Sequence, residues 1–221
     1  MPSAKPGKRV ASPFSVAVLL AAALGTAIAA DPPVDSSRYT RQYDGHFQKY
    51  AKRYFGPHFD WRWFKAQAIT ESNLDPAARS VAGAVGLMQV LPSTFAEIQQ
   101  ANPHFRDIDE PRWNIAAGIW YDRYLYRQDV WKNLDDENQL LLAFAGYNAG
   151  LGGALRAFRR TPKPADSWRR VAPQAPAETR GYVTRIIRIK TGAEASRTPR
   201  RRGIARQLAA PSTAPAPPAS P

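Results

Sequence analysis

One glutamate, Glu71, followed by Ser72, stands where a helical pattern gives way to a loop. After Asp60, a residue suited to capping a helix N-terminus, Trp61, Phe64 and Ala68 with Ile69 recur at helical spacing, so Glu71 falls at the C-terminal end of that helix. The helix dipole disfavours an anion at that end and raises the proton affinity of a carboxyl group. A carboxyl that keeps its proton near neutral pH is a general acid, the group needed to protonate a leaving oxygen when a glycosidic bond is cut. A solvated helix-end glutamate in a surface ion pair fits the same position, and the residue by itself leaves both readings open.

The residues around Glu71 add polar groups of the right kind. Ser72 is placed to hold a substrate or orient the acid, or else bonds back into its own helix. Residues 73–85 are rich in Asn, Asp, Pro, Ser, Gly and Ala, which predicts a loop folded tightly over something, with Gly83 and Gly86 permitting close backbone approach. Gln89 beyond it offers donors and an acceptor suited to amides and hydroxyls, and Met88 packs against a ring or fills the core. Tyr147 can donate its phenol to Glu71, and Asn148 beside it caps a helix end or touches substrate. Most enzymes that cleave glycosidic bonds use two carboxylates, and the nearest second one, Asp75 before Pro76, reads as a turn residue. His46, His58 and His104 are scattered and the chain has no cysteine, which argues against a metal site and excludes thiol chemistry. There is no phosphate loop or serine triad, and no cofactor is expected.

Those groups have to be positioned by helices, because no stretch reads convincingly as a strand. The 221 residues, with 44% hydrophobic side chains, provide one domain of moderate size with a core, and the fold class is all-α. A first helix is expected within 39–54 and the Glu71 helix from Asp60. A third starts at Pro92 and stops at Asn102-Pro103. Asn114 is the candidate cap of a fourth, aromatic-rich helix. The core helix spans 134–144 and ends sharply at Gly146-Tyr147-Asn148-Ala149-Gly150, before a short helix at 153–160. A Pro-rich surface loop, pinned by Trp168, leads to a last helix over 178–190.

The domain plan is an export signal at 1–29, a leader and first helix at 30–59, the catalytic domain at 60–190 and a disordered basic Pro/Ala-rich tail at 191–221. The signal reading rests on Lys5, Lys8 and Arg9, an apolar run, and Ala27-Ile28-Ala29 as a cleavage site. The uncharged stretch 10–30 is also long enough to serve as an uncleaved membrane anchor. The net charge of +13, less the three cations of the signal, leaves +10 and favours anionic envelope polymers or a lipid surface as partners of the tail. Export argues against nucleic acid as a partner, and a monomer is expected.

Four stretches resemble the soluble lytic transglycosylase family, which has a goose-lysozyme-like helical catalytic domain and cleaves bacterial peptidoglycan. They are Glu71-Ser72 with 73–78, the segment 83–90 with Pro92 after it, 145–150, and Glu178-Thr179-Arg180-Gly181-Tyr182-Val183; together they span about 63–187 in the family's order. The resemblance implies a lysozyme-like helical catalytic domain in the periplasm, with peptidoglycan glycan strands as substrate and Glu71 as the single catalytic acid. Ser72, Met88, Gln89, Tyr147, Asn148, Glu178 and Tyr182 become substrate-binding positions. It further implies that Glu71 protonates the glycosidic oxygen and then takes the proton of the muramoyl C6 hydroxyl, giving 1,6-anhydromuramoyl ends. A goose-type muramidase, in which water attacks instead, and a non-catalytic peptidoglycan-binding protein are the alternatives. Gly146 departs from the larger residue usual before Tyr-Asn and is expected to loosen that helix end.

Overall fold

The computed structural model describes residues 31–192, so the export signal and nearly all of the basic tail lie outside the described residues. Seven α-helices follow in order: α1 Asp44–Phe55, α2 Arg62–Ser72, α3 Pro92–Ala101, α4 Pro111–Tyr126, α5 Asp136–Arg160, α6 Trp168–Val171 and α7 Ala177–Thr191. Among the described residues the only extended pairing is two isolated bridges, Arg79 with Val85 and Val85 with Val90. The all-α expectation holds.

The helix starts follow local chemistry. Pro92 and Pro111 each open a helix, where the missing N–H costs nothing. Asp135 caps α5 by accepting from the Asn138 N–H at 2.8 Å. Asp60 accepts from the Arg62 N–H at 3.0 Å, two positions before α2 begins and one before its cap position, Trp61. Asn114 is the exception: α4 starts four residues earlier than predicted, and Asn114 is buried inside it, its amide committed to the loop before α3.

α5 runs on past the expected break. The chain stays helical through residues 145–149 and kinks at Gly150, whose φ of 71° and ψ of 153° belong to no right-handed helix. Gly146, expected to loosen the helix, instead lets α4 come close, since a Cβ there would sit 3.2 Å from the Leu125 side chain. α5 packs on α4 and α7, α4 on α1, and α2 on α7. Phe64, Tyr121, Phe144, Tyr147 and Tyr182 fill the space between them.

Long-range polar ties hold α2 in register. Lys65, only 2% exposed, bonds Asp44 of α1 at 2.7 Å. Arg185 of α7 donates to the carbonyl of Thr70 at 3.2 Å and pairs with Asp31 at 3.1 Å. The leader packs as well: Val34 donates its N–H to Ile189 at 2.8 Å, and Tyr39 and Tyr43 are buried.

Candidate active site

Glu71 occupies the last turn of α2, just before Asn73 turns left-handed at φ 56° and ends the helix. Its side chain is 7% exposed. Oε1 accepts the phenol of Tyr182 at 2.5 Å, while Oε2 is buried with no hydrogen-bond partner. Burial drives the carboxyl's pKa up to about 8, against smaller opposing effects of the Tyr182 bond and the Arg185 charge. The proton is therefore retained at neutral pH, and the bare Oε2 is the oxygen free to carry it.

The phenol on Glu71 comes from α7 and not from α5. Tyr147, expected in that role, donates instead to the carbonyl of Met88 at 2.8 Å, and its ring meets Tyr121 edge-on at 5.4 Å. Both tyrosines are buried, and the Glu71 charge adds to burial in raising their pKa values further. Neither phenol ionises near the pH at which Glu71 titrates.

Residues 73–90 form a wall fastened to itself. Ser72 Oγ donates to the carbonyls of Leu87 at 2.9 Å and Ala68 at 3.2 Å, so it ties the loop to α2 while also bonding back into its helix. Gln89, at φ 46°, donates its amide to Gly86 at 2.9 Å and Ala78 at 3.3 Å. The Met88 side chain lies in the core against Gly118, and its N–H donates to Asn114 Oδ1 at 2.8 Å. Asn114 also donates to Val85 at 2.8 Å and Ile108 at 3.0 Å. Gly86 is obligatory here: its φ is 73°, and a Cβ would lie 2.7 Å from Asn114 Nδ2. Leu74, buried at φ 64°, adds a second strained residue to the loop.

On the other side, Asn148 Oδ1 accepts from Thr179 Oγ1 at 2.8 Å just before the α5 kink, and Asn148 Nδ2 is buried without a hydrogen-bond partner. Glu178 is exposed on the first turn of α7, one turn before Tyr182. Asp75 is exposed and accepts from the Ala77 N–H at 2.8 Å, the turn role its sequence suggests. Sequence reasoning missed four residues: Gln67, Asp122, Thr179 and Arg185. Gln67 was findable, standing four positions before Glu71 on one helix face. Asp122 was hidden as one polar member of an amphipathic pattern. Among the described residues no group of three His, Cys, Asp or Glu side chains is placed to hold a metal.

The site therefore consists of one protonated carboxyl, a phenol fixing one of its oxygens and a loop wall of fixed shape. The family model for the transglycosylase SLT domain matches residues 46–168. Relatives include the membrane-bound lytic murein transglycosylase F of Maricaulis maris, 30% identical over 61% of this chain and 30% of that protein. The soluble lytic murein transglycosylase of Salmonella typhimurium is 30% identical over 68% of this chain and 22% of its own. The lytic transglycosylase Slt of Pseudomonas aeruginosa, solved as an inactive mutant, superposes with a TM-score of 0.57 at 25% identity, covering 68% of this chain and 23% of that one. A 70-kDa soluble lytic transglycosylase solved with bulgecin A gives 0.54 at 26% identity, covering 67% and 23%. This chain spans about a third or less of the length of these relatives. With more than half of its residues inside that match, the chain belongs to the transglycosylase SLT domain family.

Proposed function

We propose that the protein is a peptidoglycan lytic transglycosylase that cleaves the MurNAc-β-1,4-GlcNAc bond without water. The observation that carries this reading is Glu71 itself: a buried carboxyl with a pKa of about 8, one oxygen held by Tyr182 and the other bare. In the first step the Glu71 proton passes to the glycosidic oxygen as the bond from C1 to that oxygen breaks, leaving an oxocarbenium-like sugar and a Glu71 carboxylate. In the second, the C6 hydroxyl of the same sugar attacks C1 and its proton passes to Glu71. A new C1–O6 bond closes the 1,6-anhydro ring, and the acid is restored. Because the nucleophile belongs to the substrate, its capture entropy is already lost, and a second carboxylate to activate water is unnecessary. Asp75, exposed in a turn, and Asp122, fully buried, fit that economy.

The remaining roles follow from position. Tyr182 orients the acid, while Ser72, Met88, Gln89 and Tyr147 hold the wall against which a glycan strand lies. Asn148 and Glu178 supply polar contacts on the α7 side. We further infer a monomer exported to the periplasm, with residues 60–190 as the catalytic domain and no nucleic-acid partner. The basic tail docks on anionic envelope polymers or lipid. Among the described residues no helix is long and apolar enough to cross a membrane. Mass spectrometry of purified sacculi digested by the protein tests the reaction. Anhydromuramoyl ends are expected, and reducing, hydrated MurNAc ends alone would replace the transglycosylase with a muramidase.

A further inference from the structure

Behind the acid, α2 and α4 bury a second pair of polar side chains. Gln67 lies one turn before Glu71 on the same helix face and donates its Nε2 to Asp122 Oδ1 at 3.2 Å. Both side chains are 0% exposed. Their other oxygens, Gln67 Oε1 and Asp122 Oδ2, are buried and receive no hydrogen bond. Two acceptors left bare on a pair that already shares one bond imply a missing hydrogen, since buried polar groups are otherwise satisfied.

A carboxylic acid and a primary amide are complementary, each presenting a donor beside an acceptor. The amide-to-carboxyl half of that ring is in place. A single proton on Asp122 Oδ2 donates to Gln67 Oε1 and satisfies both bare oxygens. We propose that Asp122 is a neutral carboxylic acid closed into a cyclic acid–amide pair with Gln67, and that this pair forms an uncharged back wall against which Glu71 alone changes charge.

The surroundings agree. Asp122 is faced by Gln67 and Glu71 from α2, Tyr121 on its own helix, Tyr147 from α5 and Tyr182 from α7, with Glu97 of α3 reaching Tyr121 and Arg185 of α7 acting on Glu71. Among the described residues no cation acts on Asp122 directly. Burial raises its proton affinity most, the Glu71 charge raises it further, and only the Gln67 bond opposes them. The consequence for catalysis, which rests on the reading of Glu71 as the acid, is that the Glu71 carboxylate forms beside a neutral neighbour. A second anion there would oppose release of the first proton. Asp122 touches no substrate; it is a positioning residue.

The test is difference infrared spectroscopy of the full chain, wild type against Asp122→Asn, at neutral pH, where Glu71 keeps its proton in both proteins and cancels from the difference. The Asp122→Asn substitution rebuilds the ring as an amide–amide pair and keeps the fold. A protonated-carboxyl stretch present in wild type and lost in Asp122→Asn is expected; a carboxylate band lost in its place overturns the proposal. Gln67→Leu is expected to move the acid band toward that of an unbonded carboxyl, and an unmoved band would show that Gln67 is not the partner. If the protein releases no fragments from sacculi, the proposed function fails while these bands still decide the state of Asp122. Where turnover is measured, the alkaline limb of the pH–rate profile in Asp122→Asn should stay within about half a unit of wild type. A fall of about one unit or more would mean that an anionic Asp122 had been raising Glu71, which overturns the proposal.

Discussion

The acid seat and the loop wall are adjacent but built on opposite principles. The seat, made of Glu71, Tyr182, Gln67 and Asp122, joins residues far apart in the chain on three rigid helices, and its oxygens are under-supplied with donors. The wall, residues 73–90, is bonded mostly to itself and to Asn114, with Ser72, Gln89 and the Met88 backbone all occupied. Scarcity of donors around buried carboxyls sets proton affinity, whereas saturation of a loop's polar groups sets shape. Loss of the group bonded to Glu71 should therefore change pH behaviour, and damage to the wall should change stability.

The largest effect expected is from Glu71→Gln: turnover on sacculi falls by roughly 10³-fold while the fold persists. It should also stabilise. The folded-state value of about 8 lies above the ordinary value of about 4.3, so the folded protein holds more protons between them and loses stability as pH rises through that window. Removing the titration gains roughly 3.5 kcal/mol at pH 7, read from chemical denaturation, with the pH slope flattened. A variant that is inactive but shows the wild-type slope would separate catalysis from the buried proton.

Gly86→Ala strikes the wall. Its φ of 73° and the 2.7 Å approach to Asn114 predict a loss of about 2 kcal/mol or more in urea unfolding. The alkaline limb of whatever activity remains should not move; a shifted limb would mean that the wall also tunes the acid. Tyr182→Phe is the converse. It removes the bond that lowers the Glu71 value, so the limb should rise by about half a unit to one unit, whereas Tyr147→Phe should cost about 1 kcal/mol of stability and leave the limb in place. Equal shifts in both variants would erase the distinction. Ser72→Ala, the mildest change, should cost about 1 kcal/mol with the pH profile unaltered.

Much of the fold was legible where helices carry local signals: Pro92 opens α3, Asp135 caps α5, and apolar periodicity marks α2 and α7. The errors came where tertiary demand overrode local preference. Asn114 looks like a cap but is spent across space on Val85 and Met88. The glycines at 146 and 150 look like a helix stop, but the first admits Leu125 and only the second bends the chain. In the site, the place of Glu71 at a helix end was legible, but its role as the acid came from the family resemblance, because position alone fitted a surface ion pair equally. Its phenol partner was assigned to Tyr147 because nothing in linear spacing reveals which of two buried tyrosines reaches it. Asp122 was invisible for a related reason, since burial of a carboxyl depends on the helix packed over it.

The first step of the proposed reaction depends on Glu71 holding its proton at neutral pH. Carbon NMR titration of the glutamate carboxyls, with the Glu71 signal assigned by its loss in Glu71→Gln, measures that directly. One glutamate should titrate near 8, and a Glu71 midpoint near the ordinary value of about 4.3 would contradict the assignment of Glu71 as a buried acid.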